Sequence, residues 1–197
     1  MNTRTQDMTV NAAAAGRHTR VGLSVAGVVA FALLTAVGAR IALPVPGTPV
    51  PITLQTFFVL LAGATLGPRL GTASMAFYLL LGTTGYHVFA LGNWGLETVF
   101  AATGGYLIGF VLAQPIIGRI TQPSRRRWKR VLGAMLLGNA VIYATGLTWL
   151  ALWAGTGLGT TLELGFWPFL PFELLKVALA TGLGGLIAPS ARRILAC

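Results

Sequence analysis

The sequence predicts an all-α integral membrane protein: six transmembrane helices with both termini on the cytoplasmic side. Three observations lead there. Of 197 residues, 55% are hydrophobic and 9% are charged, whereas soluble domains carry roughly 25% charge. Such a chain cannot cover a soluble globule with polar surface, and its hydrophobicity excludes disorder. The charges also stand between long uncharged stretches, and the basic ones recur in alternate loops.

A helix crosses a bilayer with about 20 mostly apolar residues, so a chain of this length forms one bundle and no second domain. Residues 1–20 are small and polar, with Arg4, Arg17 and Arg20. They lack the apolar core of a secretory signal and are expected to form a disordered cytoplasmic tail, leaving 21–197 as the membrane domain. The first span is Val21–Ala39. Arg40 ends it, and Pro44, Pro46, Pro49 and Pro51 cannot continue a helix, so 41–53 should be a structured extended loop. A short second span starts near Leu54 and stops at Gly67-Pro68-Arg69, and a third covers Leu70–Leu81. The glycine-interrupted stretch 82–95 reads as a loop or re-entrant segment. Spans four, five and six are expected from about Glu97 to Ile117, Val131 to Trp153 and Phe172 to Ala188. The segment 155–171 between the last two is a connection rich in Gly, Thr and Trp.

Of the 14 basic residues, 12 fall in the tail or in the loops after spans two, four and six. The positive-inside rule assigns that side to the cytoplasm, and a five- or seven-span chain would break the alternation. The net charge of +10 is therefore a topology signal. The run Arg125–Arg130 reads as a cytoplasmic loop anchor, with Trp128 at the interface and anionic lipid as its neighbour. Nucleic acid is not an expected partner; the lipid bilayer is.

Enzyme chemistry finds almost no residues. The four serines lie outside any Gly-x-Ser-x-Gly turn, and His18 and His87 are far apart. There is no metal-ligand pair, no carboxylate cluster and no phosphate loop. The sole cysteine, Cys197, allows no disulfide. No catalytic residue, metal or cofactor is expected.

Ionisable groups at membrane depth are site candidates by default, because hydrocarbon makes them costly. Glu173 and Lys176 stand three apart just after Pro171, on one helix face where they can pair. They are either a mutually satisfied interfacial pair or an acceptor and a charged donor offered to a polar solute. Glu97 suits the start of a helix as a capping carboxylate. Gln55, close after Thr53, both donates and accepts. In Thr103-Gly104-Gly105-Tyr106, the glycines either pack helices or bring backbone close to a ligand. Phe89, Asn93 and Trp94 belong to the glycine-rich loop, a candidate lid. On span one, Gly22, Ala26 and Ala30 recur every four residues, with Ala32 and Ala36 in a second register. Such faces let helices approach, within the bundle or from another membrane protein.

Four segments in order (Pro49–Gln55, Leu61–Gly71, Thr103–Phe110 and Pro171–Lys176) resemble the BioY family, the biotin-binding membrane subunits, or S components, of energy-coupling factor (ECF) vitamin transporters. The resemblance covers about residues 21–193. It implies a six-helix S-component bundle in a bacterial cell membrane and capture of biotin from outside. It also implies partnership with a transmembrane coupling subunit and two cytoplasmic ATPases. An Ala-x-x-x-Ala face on the first helix would meet the coupling subunit, with Ala26/Ala30 and Ala32/Ala36 both matching. The acidic-x-x-Lys pair is the family's biotin-contact motif, carried here by Glu173 and Lys176, with Glu where members generally have Asp. Ala101-Ala102 replaces a Gly-Pro, and His87 a proline.

On this reading Glu173 accepts from the ureido N–H groups of biotin, and Lys176 donates to a ligand oxygen while holding Glu173 ionised. Gln55 and Asn93 complete the polar ring, with Thr53 beside them, and Tyr106, Phe89 and Trp94 supply apolar walls. Three other readings stand beside it: an S component for a different vitamin, an intramembrane enzyme and a structural bundle without a solute.

Overall fold

A computed structural model describes residues 3–121 and 128–195, with side chains from residue 19 onward except that of Arg193. Arg125–Arg127 and Cys197 lie outside the described residues, as do the side chains of Arg4 and Arg17. The first helix, α1 (Thr3–Arg40), includes the expected first span. Its backbone is helical from Thr3, where a disordered tail is the sequence expectation; the run Ala12–Ala15 is the strongest kind of helix former.

Beyond Arg40 the proline loop is closed by a two-residue ladder, β1 (Ala42–Leu43) against β2 (Ile52–Thr53), antiparallel with Ala42 opposite Thr53. α2 (Gln55–Thr83) contains both the second and third expected spans. At Gly67 the backbone leaves the helix with φ 82° and ψ −175°, a conformation open to glycine, and Pro68 begins the second arm, where a missing N–H costs nothing. The arms fold back on each other. A side chain on Gly71 would start 3.3 Å from Gly63 Cα, and Gln55 at one end bonds Tyr78 near the other. α2 is thus a helical hairpin, with Arg69 at its turn.

The fourth expected span is two elements. A short α3 (Gly95–Phe100) precedes α4 (Gly104–Thr121), so Glu97 does not open the long helix. The break is tertiary in origin: Trp149 Nε1 donates to Ala101 O at 2.9 Å. Gly104 meanwhile turns so tightly that a Cβ there would lie 1.7 Å from Val99 O. α5 (Trp128–Ala154) follows the fifth expectation. The next connection contains a helix, α6 (Leu158–Gly165), which no apolar period announced. α7 (Leu170–Leu195) continues through Pro189, beyond the expected end at Ala188.

Among the described residues three helices are long and apolar enough to cross a membrane: Thr19–Arg40, Trp128–Ala154 and Leu170–Arg192. α4 is central, packed against α2 on one side and α5 on the other. α7 shows how the bundle meets its surroundings. Glu173, Lys176, Val177, Ala180 and Thr181 face inward and are buried, while Leu174, Leu175, Leu179, Leu183 and Leu186 point out and are exposed. Polar inside and leucine outside is the arrangement of a helix solvated by lipid.

The arginine-bearing end is tied together by α7. Arg192 Nη2 lies within hydrogen-bond distance of the Gly63, Ala64 and Gly118 carbonyls and, at 2.6 Å, of Thr121 Oγ1. It thereby joins the last turns of the first α2 arm and of α4, where helix carbonyls lack partners and a cation suits the dipole. Hydrogen bonds to charged groups contribute about 1.5–3 kcal/mol. Arg192→Leu should therefore lower the melting temperature of the detergent-purified protein by roughly 5 °C or more. Arg192→Lys should recover part of that loss, as read by thermal scanning.

Candidate functional site

At the end of the bundle opposite Arg69 and Arg192, the proline loop, the 84–94 loop, α3 and the first turns of α4 and α7 enclose a cavity of about 350 Å³. Small-molecule sites run from roughly 300 to 1,000 Å³. Pro49, Val50 and Pro51 line it from the proline loop, and Phe110, Tyr143 and Phe169 add aromatic surface. Aromatic edges brace that side: Tyr106 meets Tyr143 with ring centroids 5.7 Å apart, and Tyr143 meets Phe166 at 5.4 Å. The Tyr106 hydroxyl is anchored on Gly165 O at 2.9 Å.

The polar centre is assembled from two helix beginnings. Pro171 lies in the first turn of α7 and carries the chain into it, so that Glu173 and Lys176, 4% and 6% exposed, project inward and form an ion pair. The other side is where β2 ends and α2 begins. Lys176 Nζ donates to Thr53 O at 2.7 Å, to Thr56 Oγ1 at 2.8 Å and to Glu173 Oε1. Three acceptors thus meet the three ammonium protons. The Thr56 hydroxyl accepts from Lys176 and donates to Glu173 Oε1 at 3.1 Å. Glu173 lines the cavity, and its second oxygen, Oε2, is buried with no hydrogen-bond partner. A residue of the cavity lining thus has one carboxylate oxygen bonded to a saturated ammonium group and the other buried without a partner. Such an oxygen accepts from N–H or O–H donors of a solute, and charge assistance makes the bond strong.

Gln55 is likewise oriented. Thr53 Oγ1 donates to its Oε1 at 3.0 Å, and its Nε2 donates to the Tyr78 hydroxyl at 2.6 Å. One N–H and one lone pair of the amide remain for the cavity that Gln55 lines.

Thr53, Gln55, Phe89, Asn93, Tyr106 and Glu173 come together on the cavity lining. Lys176 lies behind Glu173, off that lining. Trp94 is exposed and stacks on the His87 ring at 4.0 Å, away from the cavity. Gly104 and Gly105 are contact points between α4 and its neighbours, since side chains there would strike Val99 and Trp149. On α1, Ala26 and Ala30 are exposed, whereas Ala32 is fully buried and Ala36 packs against the core. Sequence reasoning passed over Thr56 and Tyr143. Thr56 could have been found from its spacing of three after Thr53 at a helix start, but nothing in the pattern around Tyr143 distinguishes it. Glu97, read as a cap, lines the exposed side of the cavity. Among the described residues no three His, Cys, Asp or Glu side chains group as metal ligands would.

The sequence model of the BioY family matches residues 8–193. A probable biotin transporter BioY of Pyrococcus horikoshii is 41% identical over 150 residues, 76% of this chain and 86% of that protein. The biotin transporter BioY of Thermotoga maritima is 37% identical with the same coverage of both chains. The fold is similar to the crystal structure of the S-component for biotin from an ECF-type ABC transporter. The TM-score is 0.76 at 26% identity, over 82% of this chain and 88% of that one.

The glycine contacts of α4 make a direct prediction. A methyl group on Gly105 would lie 2.2 Å from Trp149 Cβ and 2.5 Å from the Thr145 carbonyl oxygen, and main chain cannot step aside as a flexible side chain can. Gly105→Ala should destabilise the fold by about 1–3 kcal/mol, the usual range for overpacking. Thermal unfolding in detergent measures it, with Gly133→Ala as the control: there no atom is within 4 Å, and replacing a helical glycine should be neutral or mildly stabilising.

Proposed function

The chain belongs to the BioY family, and from that premise we propose that it is the biotin-binding S component of an ECF transporter in a bacterial cell membrane. It takes biotin from the outside and delivers it inward, energised by a transmembrane coupling subunit and two cytoplasmic ATPase subunits. Six helical segments form the membrane bundle in this reading: α1, the two arms of α2, the first of which is short and crosses only in part, α4, α5 and α7. The arginine-bearing end, with both termini, is cytoplasmic by the positive-inside rule, which sets the cavity at the outer surface.

The observation that carries the reading is Glu173 on the lining of a cavity of about 350 Å³, a buried carboxylate with one oxygen left unpartnered. Biotin presents a ureido ring with two N–H donors and one carbonyl, an apolar thioether ring and a valerate tail. Glu173 accepts from the ureido N–H groups, and Gln55, Thr53 and Asn93 supply the remaining polar partners. Tyr106, Phe110 and Tyr143 enclose the apolar ring. Lys176 acts through Glu173 and not on the ligand: its three donors are already occupied inside the protein, one of them on Glu173 Oε1, so it fixes the position of the carboxylate. A site that hydrogen-bonds its substrate in this way discriminates strongly against analogues lacking the donors. Ala26 and Ala30 are the docking face for the coupling subunit, because they are the exposed register of α1.

Equilibrium titration of labelled biotin into the purified chain tests the proposal, with other vitamins as competitors. Saturable binding displaced by biotin alone is expected, and displacement by a different vitamin would reassign the substrate. Glu173→Ala and Lys176→Ala should each weaken binding at least tenfold, and Thr56→Val by several fold. Unchanged affinity in the Glu173 variant would remove the site assignment.

A further inference from the structure

Tyr78 lies on the second arm of α2, is fully buried, and is off the cavity lining. Its hydroxyl nevertheless has two partners that matter to the cavity. It accepts from Gln55 Nε2 at 2.6 Å and donates to Val88 O at 2.9 Å. Gln55 lines the cavity, and Val88 immediately precedes Phe89, Ala90 and Leu91, which cover it. We infer that Tyr78 is a positioning residue that holds the 84–94 loop closed as a lid and, through the same oxygen, fixes the orientation of the Gln55 amide.

Three further observations show how the lid is seated. The Phe89 ring fills a slot left by Gly82, where a side-chain carbon would lie 2.0 Å from Phe89 Cζ. It meets the Tyr78 ring edge-on, with centroids 5.6 Å apart. On the outer side, Arg40 Nη2 at the end of α1 donates to His87 O at 2.6 Å. The lid is thus gripped at two successive carbonyls, one from the core and one from α1. Beyond the grip, Leu91 adopts φ 58° and Gly92 φ 78°. A left-handed leucine persists only where its surroundings impose it, so a lid released from its seat has reason to open.

The inference rests on the proposed function for its ligand but not for its lid. Removal of one oxygen in Tyr78→Phe keeps the ring and its packing. Full-length wild type, Tyr78→Phe and Gly82→Ala are compared in detergent by biotin association and dissociation kinetics. Hydrogen exchange of the 84–94 backbone is measured without ligand. Tyr78→Phe should raise the biotin dissociation rate at least fivefold with little change in association rate, and should speed exchange in 84–94 while α4 exchange stays constant. Gly82→Ala, which displaces Phe89 but keeps the hydroxyl, should speed the same exchange. Unaltered lid exchange in both variants overturns the inference, as does an unaltered dissociation rate in Tyr78→Phe. If wild type binds no biotin, the proposed function fails, and the exchange measurement alone still decides the lid.

Discussion

The structure depends on one buried ion pair. Glu173 and Lys176 are almost completely enclosed in a helix whose opposite face is leucine. A buried pair of this kind gains little unless its remaining protons and lone pairs are matched. The match comes from outside α7: a main-chain oxygen at Thr53 and a hydroxyl at Thr56. The main-chain oxygen comes from irregular backbone. The proline loop supplies it, with the chain extended through β2 up to Thr53 and helical only from Gln55. Non-helical backbone at this depth is tolerated where it is buried in protein or lines a cavity, and here it does both.

Bringing that loop to α7 requires the first arm of α2 to run deep into the bundle and return. The return is possible because Gly63 and Gly71 face each other at van der Waals distance. Gln114 of α4 closes the contact from the side, donating to Val59 O and Phe110 O. Its Oε1 lies 2.8 Å and 3.0 Å from where side chains on Gly71 and Gly63 would begin, so those glycine Cα–H groups point at it, a weak but recurrent helix contact. Gly118 packs on the Gly67–Pro68 turn in the same manner. The polar cavity at one end and the arginine staple at the other are two ends of one glycine-lined hairpin.

Much of this was legible in the residues. The prolines from 44 to 51, the Gly67-Pro68-Arg69 break and the pairing of Glu173 with Lys176 each act locally, through missing N–H groups, glycine torsions or helix spacing, and a reader of sequence sees local causes. The break at 101–103 was not legible, because it is produced by Trp149 reaching from α5. α6 was hidden for a related reason: it is eight residues long with glycine near its start, too short for a period to show. The setting of Lys176 was hidden on different grounds. Spacing shows that a lysine can meet a glutamate, but not that Thr53 and Thr56 from a distant segment take its other two protons.

α1 stands apart from the bundle it begins. Of the three membrane-length helices it is the least buried, 17% of its span against 33% for the other two. Its attachment is uneven along its length. Ala32, Thr35, Gly38 and Ala39 are buried, and Leu54 C and O approach Gly38 so closely that a side chain there would start 3.0 Å away. Gly22, Ala26 and Ala30 in the other half are exposed. A run of small residues gains nothing against lipid, which fits leucine equally well; it gains only against a surface that comes close. The helix is therefore held by its own bundle at the cavity end and leaves a small-residue face uncovered in its other half. Arg40, at the held end, is also the residue that grips the lid. One helix thus carries both the residue that bonds the loop over the cavity and, in its other half, an uncovered small-residue face.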